Sequence, residues 1–173
     1  MANHVSERIA SSRQSLYALK ILRSHGMDKE CIQTIFRATI ITKLTYASPA
    51  WWGFANTDAK QRLESFLRRS IKAGYYSADQ PSVGEICDSA DDSLLRAISA
   101  NPNHPLHNLL PPKIVPQYDL RKRAHQFQLP TKGNSISDMN FLPRLLFKNS
   151  YWTSDNPFLK LNRTVNHVSL LYT

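Results

Sequence analysis

Apolar residues recur at helical spacing near the start of the chain and predict a first helix there. They form one stripe, whereas the basic side chains of this segment lie mostly off it. The members of the stripe are Val5, Ile9, Ser12, Leu16 and Leu19. Gly26 follows the last turn of this pattern, and glycine readily takes the left-handed conformation that ends many helices. We therefore predict a helix that ends just before Gly26.

A second apolar face begins after Asp28, a residue type that caps helix N-termini. Its members follow helical spacing and are Ile32, Ile35, Phe36, Ile40 and Leu44. The same segment is rich in threonine and isoleucine, so a strand is the alternative prediction. The spacing favours a helix, and we expect Ser48-Pro49 to end it because proline disfavours helical geometry in the residue before it.

A third helix is predicted after Asn56 or Thr57, either of which can cap it. Its apolar stripe comprises Ala59, Leu63, Phe66, Leu67 and Ile71. Gly74 follows as the stop signal. Because both connections are short, the three helices are expected to pack antiparallel as a small bundle.

Aromatic residues cluster between the second and third predicted helices. The cluster consists of Tyr46, Trp51, Trp52 and Phe54. We interpret it chiefly as a plug that closes the bundle, since a small bundle needs large side chains to bury enough apolar area. A platform on which nucleic-acid bases stack is the alternative interpretation.

The second half of the chain is less regular. Ser82 and Glu85 stand at capping-box spacing and predict the start of a helix. Further helical turns are suggested by the apolar residues Leu94, Leu95 and Ile98. The remaining segments are predicted as a loop at 101–107, an extended or irregular basic segment at 118–129 and a short helix at 141–147. The predicted fold class is mainly α: a three-helix bundle followed by an irregular, partly helical and partly extended tail.

Length and composition narrow the functional classes. The 173 residues suit one domain, or one domain with a tail, and a hydrophobic share of 42% argues against a disordered chain. No stretch is long and apolar enough for a membrane helix, and the first residues lack a secretory signal pattern. Two cysteines cannot form a disulfide framework, and five scattered glycines argue against a glycine-rich phosphate loop. We expect an intracellular protein of the cytoplasm or nucleus, not secreted, without a membrane partner or a small-molecule substrate.

Charge is unevenly distributed along the chain, whose net charge is +9. Residues 1–74 hold 12 Lys and Arg against 5 Asp and Glu, residues 75–111 hold 1 against 5, and residues 112–173 hold 9 against 3. We divide the chain into a helical bundle at 4–74, an acidic helical and loop extension at 75–111, a basic extended tail with a short helix at 112–151 and an unassigned tail at 152–173.

The basic residues predict a nucleic-acid partner. A pI near 9.8 places nucleic acid first among the partner classes, and phosphate binding needs only positive charge that follows a backbone. The candidate contacts form two patches: Lys60, Arg62, Arg68, Arg69 and Lys72 on the polar face of the third helix, and the run Arg121, Lys122 and Arg123. An ordinary solvated helix face is the alternative interpretation.

Three residue groups invite a chemical interpretation. Asp91-Asp92 has the adjacent carboxylates of a two-metal site, but no strand pattern flanks it, so we interpret it as an acidic helix start. His104 and His107 lack two further zinc ligands at suitable spacing and are interpreted as loop residues. Cys31 has no evident partner base. We therefore predict no catalytic residue, no metal ligand and no cofactor in this chain.

A series of short motifs carries a family resemblance. Along the chain it includes the segment 13–22, the run Tyr46-Ala47-Ser48-Pro49-Ala50-Trp51, the segment 63–69, the loop Asn101-Pro102-Asn103-His104-Pro105-Leu106, and the segments 118–121 and 141–147. In this order, over about residues 4–151, the series resembles the region that follows the palm in reverse transcriptases of non-LTR retrotransposons, LINE-type elements of the jockey-like and CR1-like groups. The signature positions, interpreted as structural, are Tyr46, Ser48, Pro49, Trp51, Asn101, Pro102, His104 and Pro105.

The resemblance implies the helical thumb and C-terminal extension of an RNA-directed DNA polymerase. In that family the thumb grips the template–primer backbone, and the palm, which would lie upstream of Met1, holds divalent magnesium. The implied partners are an RNA–DNA hybrid or RNA template and, if supplied in trans, the palm and fingers. The resemblance thus implies a truncated transposon reading frame without catalysis of its own. The alternative is a non-enzymatic helical protein-interaction module or a nonfunctional remnant.

Overall fold

The computed structural model describes residues 2–113, 125–131 and 133–148. Within these ranges the chain is mainly helical and holds no strand, only an isolated antiparallel bridge between Lys113 and Phe127. The predicted fold class is therefore confirmed. None of the helices in these ranges is long and apolar enough to cross a membrane.

Helix α1 spans Ala2–Ser24 and ends as the glycine signal predicts. Gly26 has φ +88°, and the N–H of Met27 donates to the carbonyl oxygen of Leu22 at 3.2 Å. This bond pairs a carbonyl that the last helical turn would leave without a partner. The predicted stripe faces the core: Val5, Ile9, Ser12 and Leu19 are buried and Leu16 is half-buried.

The second helix begins at Asp28, whose carboxylate accepts a hydrogen bond from the N–H of Glu30 at 2.9 Å. It runs as α2 over Lys29–Phe36, as a π-helical turn over Arg37–Ile41 and as α3 over Thr42–Thr45. The helical prediction is thus confirmed and the strand alternative is wrong. The i→i+5 bonding of a π turn rotates the chain less per residue than the bonding of an α turn does. Two adjacent residues of this turn, Ile40 and Ile41, are accordingly both buried.

The prediction that Ser48-Pro49 ends the second helix is wrong. The helix already ends at Thr45, and the chain reverses at Ala47, whose φ of 51° is left-handed. Ser48-Pro49 instead begins the short helix α4, Ser48–Trp51, which a 3-10 turn over Trp52–Phe54 follows. Proline fits there because the first turn of a helix makes no use of the missing N–H.

Helix α5 spans Thr57–Lys72, and its cap is Asn56, whose side-chain oxygen accepts from the N–H of Ala59 at 2.9 Å. Gly74 ends it with φ +79°, the same left-handed conformation as Gly26. Its apolar stripe faces inward as predicted: Ala59, Leu63, Phe66 and Leu67 are buried and Ile71 is half-buried. Helix α1 packs against α2, α3 and α5.

The hydrophobic core of the bundle continues past the boundary drawn at residue 74. Tyr75 and Tyr76 belong to the same buried cluster as the helices before them. Their rings lie 6.5 and 5.6 Å, respectively, from the ring of Phe36. The first residues of the acidic extension are therefore part of the bundle core.

Helix α6 spans Val83–Ala100 and opens with the predicted capping box. The Ser82 hydroxyl accepts from the N–H of Glu85 at 3.2 Å, and the Glu85 carboxylate accepts from the N–H of Ser82 at 2.8 Å. Because α6 is continuous, Asp91-Asp92 lies in its middle, and its interpretation as an acidic helix start is wrong. The turns suggested around 94–98 are the last part of the same helix, which packs against α3, α4 and α5.

The elements after α6 are short. They are a 3-10 turn at His107–Leu109, helix α7 at Ser135–Asp138 and helix α8 at Phe141–Phe147. The loop predicted at 101–107 is non-helical up to this 3-10 turn, and α8 is the predicted short helix. Helix α8 packs against α6. Of the segment predicted as extended or irregular, residues 125–129 are described and are non-helical; residues 152–173 lie outside the described ranges.

Candidate nucleic-acid interface

Helix α5 presents four of the predicted phosphate contacts on one exposed face. Its apolar stripe is fixed in the core, so side chains at three- and four-residue spacing on the other side point to solvent. The four exposed cations are Arg62, Arg68, Arg69 and Lys72. From the first to the last of them the helix axis rises by about 15 Å.

A groove of about 260 Å³ lies between this face of α5 and helix α1. It is lined by Ile9, Arg13, Asp58, Gln61, Arg62, Ser65 and Arg69. The guanidinium of Arg62 links the two helices by donating to the Ser6 hydroxyl at 3.1 Å. A second hollow of about 250 Å³ shares part of this lining and extends along α5 to Arg68 and Lys72. The cations therefore line two adjacent hollows.

Arg13 joins the predicted cations from the neighbouring helix. It is exposed and follows Ile9 by one turn of α1, on the edge that faces α5. The sequence pattern shows only that Arg13 lies off the apolar stripe. Which helix Arg13 faces depends on the packing of the helices. The one local indication in the sequence is that Arg13 follows the apolar Ile9 by one helical turn. We call Arg13, Arg62, Arg68, Arg69 and Lys72 the basic surface.

The basic surface carries a clear excess of positive charge. Asp58 is the carboxylate in the lining of the groove, and Arg68 donates to the neutral hydroxyl of Ser65 at 2.9 Å. Of the two ion pairs found within the described ranges, neither involves a cation of this surface. Clustered charge of one sign in a depression attracts counterions and anionic ligands.

Lys60 does not join the basic surface. It lies in the same row of α5 as Glu64, whose carboxylate accepts from the N–H of Gly84 in α6 at 2.9 Å. Its ammonium lies 4.6 Å from the centre of the Trp52 ring, a favourable cation–π contact. Lys60 thus packs on the 3-10 turn after α4. The second predicted patch, Arg121, Lys122 and Arg123, lies outside the described residues.

The aromatic cluster divides between the core and the surface. Trp51 and Trp52 are buried, with their ring centres 5.8 Å apart in an edge-to-face arrangement, as a plug requires. Phe54 is half-buried. The residue Tyr46 is 63% exposed. The two tryptophans form the plug, and the ring of Tyr46 remains at the surface.

Asp91 and Asp92 have partners within the protein. Asp91 is fully buried and forms an ion pair with Arg144 of α8. Asp92 forms a more exposed pair with Lys148 at 2.9 Å. The guanidinium of Arg144 also approaches the carbonyl oxygen of Pro49 at 3.5 Å. These carboxylates anchor α8 on α6, and no cluster of three potential ligands for a metal ion occurs in the part of the chain that the structure describes.

The histidines of the predicted loop bond to backbone atoms of the loop and of α6. The side-chain oxygen of Asn101 accepts from the N–H of Asn103 at 3.0 Å, and Nδ1 of His104 accepts from the N–H of Leu106 at 3.1 Å. Nδ1 of His107 lies 2.7 Å from a backbone carbonyl oxygen of α6. Such local bonds are typical of residues that stabilise turns.

The two cysteines differ in their surroundings. Cys87 is buried in the core, and burial raises the pKa of its thiol to about 12. A thiol with so high a pKa remains protonated and unreactive at neutral pH. Cys31 is exposed on the first turn of α2.

Neither a family model nor a curated protein nor a solved structure matches this chain. Its function is therefore inferred from the arrangement of its own side chains.

Proposed function

We propose that this chain binds the sugar–phosphate backbone of an RNA–DNA hybrid or an RNA template and does not polymerise by itself. The observation that carries this proposal is the basic surface, in which Arg13 of α1 and four cations of α5 line two adjacent hollows. The resemblance to the thumb of non-LTR reverse transcriptases supports the same class of partner. The palm and fingers of that family are proposed as a further partner.

The dimensions of the basic surface suit a nucleic-acid strand. Arg62 and Lys72 are separated by about 15 Å along α5. One strand of a duplex carries a phosphate about every 3.4 Å along its axis, so this row spans about four phosphates. Arginine is suited to such contacts because its planar guanidinium donates two parallel hydrogen bonds to phosphate oxygens. Contacts of this kind position a protein on the strand but do not specify sequence.

We also propose that this chain alone has no polymerase activity, because its adjacent carboxylates are engaged in ion pairs. A two-metal polymerase site needs carboxylates that are free to bind the ions. The adjacent pair Asp91 and Asp92 is instead engaged with Arg144 and Lys148. Primer extension by the purified chain in the presence of magnesium would contradict this part of the proposal.

The salt dependence of binding tests the proposed function. If four cations of the basic surface contact phosphates, the logarithm of the association constant for a hybrid duplex should fall with a slope of about −3.6 against the logarithm of salt concentration. Affinity would then drop about 150-fold between about 50 and 200 mM salt. In the variant Arg68→Ala plus Arg69→Ala, the slope should be about −1.8 and the drop about 12-fold. Fluorescence anisotropy with a labelled hybrid measures both.

The matched control removes two other exposed charges. Lys29 and Arg96 are exposed on α2 and α6 and do not line the hollows of the basic surface, so Lys29→Ala plus Arg96→Ala lowers the net charge equally. This variant should keep the salt slope of the unmodified protein. The proposal is overturned if affinity is independent of salt, or if the two double variants lose affinity to the same extent.

A protein-interaction module is the second candidate function. The observation that favours it is an apolar patch on α1, where Tyr17 is 66% exposed and Ile21, one turn later, is 41% exposed. A chain that elutes as a compact species in gel filtration and binds no nucleic acid at low salt would support this candidate. Rapid digestion by a protease would instead support a remnant without function.

A further inference from the structure

We propose a second nucleic-acid contact on another side of α1, where the exposed ring of Tyr46 stacks on an unpaired base of a single strand. The proposal rests on the proposed function only in taking nucleic acid as the class of partner. Tyr46 belongs to the aromatic cluster but does not lie in the core, since the residue is 63% exposed.

One cation lies over the ring of Tyr46, and a second lies on α3, the helix that leads to Tyr46. The guanidinium of Arg8, on α1, lies 5.4 Å from the centre of the ring. Lys43 precedes Tyr46 by three residues, and its ammonium donates to the hydroxyl of Ser15 at 2.6 Å, which places it between α1 and α3. An aromatic face beside positive charge is the chemistry that binds single-stranded nucleic acid: the ring stacks on a base and the cations hold the flanking phosphates.

The backbone holds Tyr46 in this exposed position. The indole N–H of the buried Trp51 donates to the carbonyl oxygen of Tyr46 at 2.9 Å. The next residue, Ala47, has φ 51°, a left-handed conformation that costs energy in a residue other than glycine. Such strain persists where the surroundings determine the conformation, and it is common at ligand contacts. The ring is thus presented by a fixed turn between α3 and α4.

This contact is separate from the basic surface. Arg8 and Arg13 differ by five positions on α1, which corresponds to about 140° around the helix. Arg8 therefore faces α3 and Tyr46, whereas Arg13 faces α5. A nucleic-acid strand bound on the side of α1 that carries Arg8 does not need the cations of the basic surface on the other side.

A comparison of two oligonucleotides tests the proposal. The first carries about ten thymidines, a length within the site sizes of single-strand binders, and the second has the same backbone with abasic sites. Tyr46→Ala should weaken binding of the thymidine strand about tenfold, as the loss of one base–aromatic stack does. It should leave binding of the abasic strand unchanged. Tyr46→Phe keeps the ring and should retain the affinity of the unmodified protein.

Tyr17→Ala is the matched control, because Tyr17 is 66% exposed and lies nine positions from Arg8, about 180° around α1. It should leave both affinities unchanged. If Tyr46→Ala binds the thymidine strand as the unmodified protein does, the stacking proposal is overturned, and a protein contact becomes the better assignment of this ring.

Hybrid-duplex binding, measured in parallel, separates this proposal from the proposed function. A duplex affinity that responds to Arg68→Ala plus Arg69→Ala, together with no effect of Tyr46→Ala on the thymidine strand, removes the stacking proposal alone. The reverse pattern removes the duplex proposal alone. A chain that binds neither the duplex nor the thymidine strand overturns both.

Discussion

The ion pair between Asp91 and Arg144 should contribute several kcal/mol to stability. Asp91 is fully buried in the middle of α6, whereas the side chain of Arg144 is 21% exposed. Arg144→Met removes the guanidinium and leaves the carboxylate buried without its partner. Removal of one member of a buried pair costs about 3–5 kcal/mol, and we expect a loss of this size in the free energy of unfolding.

Substitution of Asp91, the other member of the pair, should lower the free energy of unfolding by less than Arg144→Met does. Asp91→Leu leaves the guanidinium of Arg144 without its partner, but the side chain of Arg144 is 21% exposed and can turn toward water. Loss of the hydrogen-bonded partner alone costs about 1–3 kcal/mol. Replacement of both residues, Asp91→Leu plus Arg144→Met, leaves no unpaired charge, and such apolar replacements are often close to neutral. The double variant should therefore be more stable than Arg144→Met alone.

Urea unfolding followed by far-ultraviolet circular dichroism measures these differences by linear extrapolation. For a chain of this size about 1 kcal/mol corresponds to roughly 2–4 °C in Tm, so Arg144→Met should lower Tm by about 6–20 °C. Lys148→Met is the control, because the pair of Lys148 with Asp92 is partly exposed and should contribute less than about 1 kcal/mol. The reasoning is refuted if Arg144→Met is as stable as Lys148→Met, or if the two single losses simply add in the double variant.

Other substitutions test the close contacts and the buried thiol. Gly53→Ala should lower the free energy of unfolding by about 1–3 kcal/mol, because its Cβ would lie 2.1 Å from the carbonyl oxygen of Met139. Gly133→Ala, whose Cβ would have its nearest neighbour at 3.5 Å, should be almost neutral. Equal Tm values for the two variants would contradict the close approach at Gly53. A thiol reagent at about pH 8 should modify Cys31 and not Cys87 in the folded protein, and mass spectrometry that finds Cys87 modified under native conditions would contradict its burial. Burial raises the pKa of Cys87 from 9.0 to about 12, so the folded state keeps a proton that the unfolded chain releases, and stability should fall between about pH 9 and 12. Cys87→Ala should show a flatter dependence on pH, and an identical dependence would remove this assignment.

Local signals predict the helices of this chain well. Asp28, Asn56 and Ser82 each accept the capping bond that their residue type and position indicate, and Gly26 and Gly74 end helices in left-handed conformations. A cap or a glycine stop depends on a few neighbouring residues, so the sequence contains all the information required. The π turn and the start of α4 depend on packing as well, and there the sequence pattern is insufficient.

The sequence predicts only those residues of the candidate site that lie on a single helix. The spacing along α5 indicates the exposed row from Arg62 to Lys72, but it includes Lys60, which packs on the ring of Trp52 instead. Arg13 enters the basic surface only because α1 lies against α5. The partner of Asp91 is 53 residues away in the sequence, and no periodicity connects two residues at that distance.

The buried tryptophans give the protein an intrinsic optical probe of one junction. Trp51 and Trp52 contact each other, and the ring of Trp51 lies 5.3 Å from His4 in the first turns of α1. Lys60 of α5 covers Trp52, and the next residue, Gly53, meets the segment that carries α8. Two of the three tryptophans in the chain therefore report, through their emission, on the place where the start of α1, the start of α5 and the docked α8 meet. Stopped-flow fluorescence can time the closing of this junction against the formation of the helices themselves.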